Sequence, residues 1–574
     1  MGVRYLVCPE VGWNAGGIAG LKHARSCARA FPGLYALHRC HASSANALLA
    51  EQYQSFIPIE LKIKIIDLFA GPGGLGEGFA SYRGGSIFSI AASAEMEASA
   101  HSTLKLRAFY RLARGDRKAL DAYYSYCNQE GAPHPSVVHE GAWKAACDEA
   151  LQLQLGNRED NQFLDVALGR KKLSPDSTVL IGGPPCQAYS LVGRARNRGK
   201  KDYVPEKDAR HYLYQQYLRI VHKYEPAVFV MENVKGILTS QVGGKRVFHE
   251  ILRDLSDPGR AIGQGGGARY RIHSLVEPVH FEPGQEPEDF DSAKFVIRAE
   301  RYGVPQARHR VILLGVRADI PITDAVLLEP SPALNIEDVI GDLPRVRSRL
   351  SKGDTAHAWR DAVLMEASGL IGAARGLADE ALEPVLKQMQ LSRDHLLATE
   401  SFGALRYSPR LAPVPAVPSS FWNWMHDPRL EVVMNHEARG HMQSDLRRYF
   451  YAAAYAKAMG VAPKGHQQFQ LPGLAPSHAN WESGKFQDRF RVQVQGRPST
   501  TITSHIAKDG HYFIHYDAEQ CRSLTVREAA RLQTFPDNYF FMGNRTQQYH
   551  QVGNAVPSFL AHQIAGVVHR ILPN

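Results

Sequence analysis

C-x-x-C pairs, membrane-length apolar runs, internal repeats and low-complexity tracts are all missing from this chain of 574 residues. Seven cysteines, an odd number with no C-x-x-C pair, exclude a disulfide scaffold and predict a reducing, intracellular compartment. No run of apolar residues is long enough to span a bilayer. The opening Met1-Gly-Val-Arg-Tyr-Leu6 has no signal-peptide core, and Leu6 stands where myristoylation needs Ser or Thr. Neither sign of charge dominates: 67 Lys+Arg against 57 Asp+Glu leave +10, a mild excess that suits a polyanion partner without proving one. His23, Cys27, His38, Cys40 and His41 fit no standard zinc spacing, so no metal is expected.

What is present is ordinary globular material. Apolar residues make up 44% and charged residues 22%, enough core for a large domain and smaller units. Residues 1–60 are Ala/Gly-rich and weakly periodic, an extension without a legible role. Lys62 to Leu68 reads as a strand that becomes fully apolar. Thr178–Ile181, Ala227–Met231 and Val311–Leu314 read as strands buried on both faces, as in parallel sheets covered by helices. Tyr214, Tyr217, Leu218 and Val221 mark one helical face between two of them. The alternation predicts an α/β, doubly wound, mostly parallel sheet of Rossmann-like type. Gly263–Gly267 precedes an alternating, strand-like stretch from Tyr270 to Phe281, so it reads as a plain loop. Leu411–Pro418 reads as a Pro-rich connector. Thr525-x-x-Glu528 is a capping box, and Pro557 opens a last helix with Leu560, Ile564, Val567 and Ile571 on one face.

Four strand ends carry chemistry. After the first, Gly71, Gly73 and Gly76 satisfy G-x-G-x-x-G, and Glu95 lies 19 residues further on, at the end of the run Ser86–Ala94. Such a turn lets backbone approach a nucleotide, and the carboxylate suits ribose hydroxyls. Alone, the pattern fits a dinucleotide enzyme, an S-adenosylmethionine enzyme or a bare tight turn. Gly182-Gly-Pro-Pro-Cys186-Gln fixes a rigid loop where open sheets place ligands. A thiol there is a candidate nucleophile, and a buried structural cysteine is the competing reading. Glu232 follows Ala-Val-Phe-Val-Met at the rim of an apolar core, suited to proton donation or, more simply, to a solvated cap. Arg308 and Arg310 alternate by two and would point to one face, as guanidinium forks for an anion or a base, or as surface charge.

Six blocks in one order resemble the cytosine-5 DNA methyltransferase family. They are Asp67-Leu-Phe-Ala-Gly-Pro-Gly-Gly, Gly183-Pro-Pro-Cys-Gln, Glu232-Asn-Val, Gln306-x-Arg-x-Arg, Leu524 to Pro536, and Gln551 to Pro557. The likeness covers about 62–345 and 495–574. It implies S-adenosylmethionine as cofactor, with Phe69, Gly71, Gly73 and Leu75 lining its pocket beside Pro184. It also implies Glu95 on the ribose, Met96 against the adenine, Asp165 and Val166 at the adenine edge, and Asn554 and Val556 at the methionine end. Cys186 and Glu232 would be catalytic, and Arg308 and Arg310 would hold the target base and Glu232. The basic run Arg194 to Lys201 would suit phosphates in a loop that closes over DNA, with a solvated face as the alternative.

The same resemblance divides the chain into an extension (1–60), a catalytic domain (61–345, with a helical insertion near 105–162), a target-recognition domain (346–545) and a returning C-terminal helix (546–574). Arg497–Thr503 looks like the family stretch that packs on target DNA. The expected substrate is cytosine in a specific sequence of duplex DNA. The expected setting is a monomer in the bacterial cytoplasm, associated with the nucleoid, with restriction or other defence proteins as candidate partners. An RNA cytosine-5 methyltransferase is the rival, disfavoured by the length of 346–494. A non-catalytic S-adenosylmethionine binder is disfavoured by the intact Cys186, Glu232 and arginines, and a nicotinamide oxidoreductase leaves two blocks unexplained.

Overall fold

The computed structural model describes residues 62–185, 211–242, 244–322, 326–396, 400–408, 417–476, 481 and 489–572. Cys186, the basic run 194–201, the N-terminal His/Cys group and most of the Pro-rich connector lie outside the described residues.

The apolar runs form the centre of a nine-stranded sheet. Its parallel part is built from β1 (Ile63–Leu68), β2 (Phe88–Glu95), β3 (Ala150–Gln152), β4 (Thr178–Gly182) and β5 (Val228–Val234), in the order β3-β2-β1-β4-β5. Beyond β5 the direction reverses. The short strands β6 (Tyr270–His273), β7 (His280–Phe281) and β8 (Val296–Arg298) and the long β9 (His309–Arg317) add antiparallel pairs, with β9 beside β5. The run Val311–Leu314, expected in a parallel setting, is therefore antiparallel. The stretch Tyr270–Phe281 is a pair of short strands rather than one.

Alternation along these strands feeds two cores, because successive side chains leave opposite faces. Ile66, Leu68, Leu180, Phe229, Met231 and Leu313 face one side, where Tyr217, Leu218 and Val221 of one helix (His211–Tyr224) cover them. Ile65, Val179, Ile181, Val228, Val230 and Ile312 face the other. That face is covered by α1 (Gly74–Ser81), through Leu75 and Phe79, and by the chain's last helix (Ser558–Ile571), through Leu560, Ile564 and Val567. Each such aliphatic side chain withdrawn from water contributes about 1.5–3 kcal/mol, so the final helix is an integral layer of the sheet domain.

The expected insertion is helical. It holds the end of α2 (Ala98–Ala113), then α3 (Arg117–Asn128) and α4 (Glu140–Glu149), and continues through β3 into α5 (Arg158–Gly169). Glu97, Asp116 and Asn157 cap α2, α3 and α5 with side-chain oxygens. Between the sheet and the C-terminal segments, α6 (Ala356–Leu377), α7 (Glu383–Asp394) and α8 (Gln443–Met459) pack as a separate helical cluster around Trp359, Met389 and Phe450. An antiparallel pair of strands, Gly403–Tyr407 and Val433–Glu437, leans on α3, where Arg406 Nη2 donates to the Tyr126 carbonyl (2.8 Å), and nearby Arg429 pairs with Asp121 (2.6 Å). Thr525 and Glu528 form the reciprocal capping box of α9 (Val526–Leu532). Among the described residues no helix is long and apolar enough to cross a membrane.

Candidate functional site

The carboxyl ends of β1 to β5 open into one cavity of about 400 Å³, where open α/β sheets bind ligands. β1 delivers Asp67 and the turn that carries Phe69, Gly71 and Leu75. Phe69 holds φ 56°, a left-handed conformation that costs a bulky residue energy and that is found where backbone must meet a ligand. Glu95 ends β2, and its carboxylate binds the turn directly. Gly71 N–H donates to Oε2 (2.8 Å) and Glu97 N–H to Oε1 (2.7 Å). Burial raises the Glu95 pKa, against the pull of these N–H groups. Met96 is 62% exposed at the rim. Pro184 follows β4, and Asn554 and Val556 form the opposite wall.

Glu232 reaches the same cavity from β5. Arg310, near the start of β9, sets its Nε 2.8 Å from Glu232 Oε1, and the two side chains are mostly buried. A Cβ on Gly183 would lie 3.0 Å from Glu232 Oε2, so glycine is what lets this carboxylate rest against the loop that leads to Cys186.

Three residues expected in the cofactor pocket lie outside this cavity. Asp165 and Val166 do not line the cavity. They lie in α5, where Asp165 pairs with Arg219 (2.9 Å) and Lys223 (2.9 Å), and Val166 is 55% exposed. Leu153 and Leu155 stand at that wall instead. The run Ala150-Leu-Gln-Leu-Gln-Leu155 alternates with period two, the signal of the edge strand β3 that brings them there. Gly73 does not line the cavity either. It faces away from it, and a Cβ there would meet Leu104 Cδ1 at 2.8 Å and Tyr539 Oη at 2.9 Å.

Arg308 lies near enough to Arg310 and Glu232 to feel both charges, but its guanidinium is committed to backbone. It is 2% exposed and donates to three backbone carbonyls, those of Ile502 (2.6 Å), Ala555 (2.8 Å) and, more weakly, Gly553 (3.4 Å). The strand changes partners here: Gln306–Ala307 pairs with Ser499–Thr500, and only from His309 onward does the chain join the main sheet. The two-residue period therefore breaks at Arg308.

Asp67 was legible only as part of a block. Its side chain is 0% exposed, and neither oxygen has a hydrogen-bond partner among the described residues. Burial, opposed by Arg111, pushes its pKa to about 8. A larger cavity of about 780 Å³ lies between α3 and residues 422–434, away from every strand end of the sheet. It has no glycine turn and none of the expected site residues.

A family model for C-5 cytosine-specific DNA methylases matches residues 137–264 and 414–570. The type II methyltransferase M.Bpa9945I of Bacillus paralicheniformis is 34% identical over 88% of this chain and 99% of its own length. The chain belongs to the C-5 cytosine-specific DNA methylases. It is an enzyme of DNA cytosine-5 methylation. The type II methyltransferase M.DdeI of Desulfomicrobium norvegicum is 26% identical to this methylase over 88% of both chains. The DNA (cytosine-5)-methyltransferase 1 of Gallus gallus is 25% identical over 88% of this chain and 29% of that protein. Glu232 falls within the first stretch matched by the family model, and Asn554 and Val556 within the second. The two walls of the cavity thus come from family segments far apart in sequence.

Proposed function

We propose that this methylase modifies cytosine in a specific duplex DNA sequence with S-adenosylmethionine as methyl donor, in the setting of a type II restriction–modification system. The observation that carries the reading is the Glu232–Arg310 pair (2.8 Å) at the rim of a cavity framed by a glycine turn. The residues suit the cofactor. Glu95, already tied to the turn, offers an acceptor edge for a ribose diol. Asp67, buried with no hydrogen-bond partner among the described residues, offers a polar group with unused hydrogen-bonding capacity. Phe69, Leu75, Met96, Pro184 and Val556 supply apolar walls, and Asn554 a polar end. When bound, S-adenosylmethionine supplies an electrophilic methyl group on a sulfonium.

The target ring cannot be reached inside a stacked duplex, so the cytosine must swing out into the site. Cytosine C5 is a poor nucleophile until something adds at C6. Cys186 is assigned that step: its thiolate bonds to C6, and the electron pair moves toward C5. Glu232, oriented by Arg310, hydrogen-bonds N3 and the exocyclic amine and stabilises the charge that develops on the ring. Once C5 carries the methyl group, a base removes the C5 proton, the C5–C6 double bond re-forms and the Cys186 thiolate leaves. Gly71, Arg308 and Gln306 do no chemistry in this scheme and hold backbone in place. Residues 61–345 with 546–574 form the catalytic domain, and 346–545 read the DNA sequence.

Duplex DNA with 5-fluorocytosine at the recognition site tests the scheme. Fluorine at C5 cannot leave as a cation, so elimination stops after methyl transfer. A complex stable to detergent and heat should form only with S-adenosylmethionine and should vanish in Cys186→Ser. A complex that persists without Cys186, or forms without cofactor, would refute it.

A further inference from the structure

The turn that floors the cofactor cavity is held from behind by a segment more than 450 residues away in sequence. The Tyr539 hydroxyl donates to the Pro72 carbonyl, and Tyr539 is fully buried. Contact is tight, since a Cβ at Gly73 would come within 2.9 Å of that hydroxyl oxygen. Tyr539 is in turn fixed on every side. Its ring packs on Phe535 (4.8 Å) and Phe541 (5.4 Å), and Arg527 donates to its carbonyl (2.7 Å). The Arg107 guanidinium lies 4.7 Å from its ring centroid.

Arg107 completes the clamp. It forks onto Glu77, in the first turn of α1, at 2.6 and 2.9 Å, and reaches Asn538 Oδ1 at 2.8 Å. Asn538 and Tyr539 therefore grip both ends of the turn: Pro72 directly, and the start of α1 through Arg107. Pro72 lines the cavity, whereas neither Tyr539 nor Arg107 does. A preorganised turn binds more tightly because its ordering cost is met before the ligand arrives.

We propose that Tyr539 is a positioning residue for cofactor binding, acting through the Pro72 carbonyl, with Asn538 and Arg107 as its supports. The inference rests on the reading of this cavity as the S-adenosylmethionine site. Tyr539 touches no reacting atom. Its loss should weaken the cofactor complex and spare the chemical step.

Tyr539→Phe removes one oxygen. A buried hydroxyl-to-carbonyl bond corresponds to about a five- to tenfold change in an equilibrium constant. In Tyr539→Phe, KM for S-adenosylmethionine and Kd for S-adenosylhomocysteine by calorimetry should each rise about fivefold to tenfold. The kcat and KM for DNA should hold. Hydrogen exchange across residues 69–79 should accelerate in the free variant. Tyr451→Phe is the matched control: its hydroxyl also donates to a carbonyl, that of Gln468 (2.6 Å), but inside the separate helical cluster. It should lower the melting temperature and leave both cofactor constants unchanged. Asn538→Ser, which takes one anchor from Arg107, should shift the same constants in the same direction by less, and serves if Tyr539→Phe does not fold. A fall in kcat at constant KM, or a fall in melting temperature with unchanged cofactor constants, would overturn the proposal. Failure of the unaltered protein to bind S-adenosylhomocysteine would instead overturn the cofactor assignment beneath it.

Discussion

Asp67→Asn should stabilise the free protein at alkaline pH far more than at acid pH. Asp67 stands at the end of β1, fully buried, with neither carboxyl oxygen hydrogen-bonded among the described residues. The charges around it pull in opposite directions. Arg111 favours the ionised form, but Arg111 is already engaged by Glu149 (2.5 Å) and lies 3.6 Å from Glu77. Glu95 and Glu149 oppose ionisation, and burial is the largest influence of all, so the pKa stands at about 8. An unfolded chain releases the same proton near pH ~3.9. Between those two values the folded state holds the extra proton, so stability falls as pH rises and levels off above about pH 8. The full span of roughly four pH units sets an upper bound of about 5 kcal/mol, which relaxation and water entry would reduce.

Asparagine keeps the shape and cannot ionise, so it escapes this loss. The stability gap between variant and parent should widen by about 3 kcal/mol between about pH 5.5 and about pH 8.5. Urea unfolding of both proteins without cofactor, at the two pH values, measures it. Contributions from all other titrating groups cancel in the double difference. A gap that is the same at both pH values would show that Asp67 does not hold its proton. A variant less stable than the parent at the higher pH would show that its carboxylate is ionised and needed, with Arg111 as its counter-ion.

Two further predictions separate the paired arginines. Arg308→Met should lower stability by about 2–4 kcal/mol, from the loss of charge-assisted bonds to Ile502 and Ala555, and should raise KM for S-adenosylmethionine as the Asn554 wall loosens. A fall in kcat alone, with stability and KM intact, would return Arg308 to the target base. Arg310→Met should do the reverse, lowering kcat by about 10- to 100-fold with little change in urea midpoint, because it removes the positive charge 2.8 Å from Glu232. Unchanged kcat in that variant would remove Arg310 from the mechanism.

The sheet was legible because its central strands are short continuous apolar runs, and such runs have few other uses in a chain of this composition. Their direction was not. A strand buried on both faces reads alike whether its neighbour is parallel or antiparallel, which is why Val311–Leu314 gave no sign of running against β5. The turn after β1, Glu95 and Glu232 were legible for a different reason: each ends an apolar run, so placing the strand places the residue. Asp165 failed that test. No apolar strand run leads to it, and it lies in an amphipathic helix whose inward Leu164 and Leu168 turn it toward Arg219.

Arg308 shows where local pattern stops being informative. Alternation by two predicts a shared face only while the chain stays in one ladder, and the ladder breaks at this residue. What then decides its role is a set of backbone carbonyls at 502, 553 and 555. Tyr539 is decided likewise by the carbonyl of Pro72, and Arg527 by those of Met434, Pro536 and Tyr539. A carbonyl acceptor is the same group in every residue, so it leaves no mark in the sequence for the donor to be matched with. A buried arginine or tyrosine bound to carbonyls shows in sequence only as a polar residue with no evident partner, as Arg527 and Tyr539 do between Leu524 and Phe541. Glu95 and Glu232, the carboxylates assigned to the ligands, follow from strand ends. The side chains that hold the backbone beneath them follow only from the fold. Variants of the second kind should therefore shift binding constants and stability together, whereas variants of the first kind shift rate.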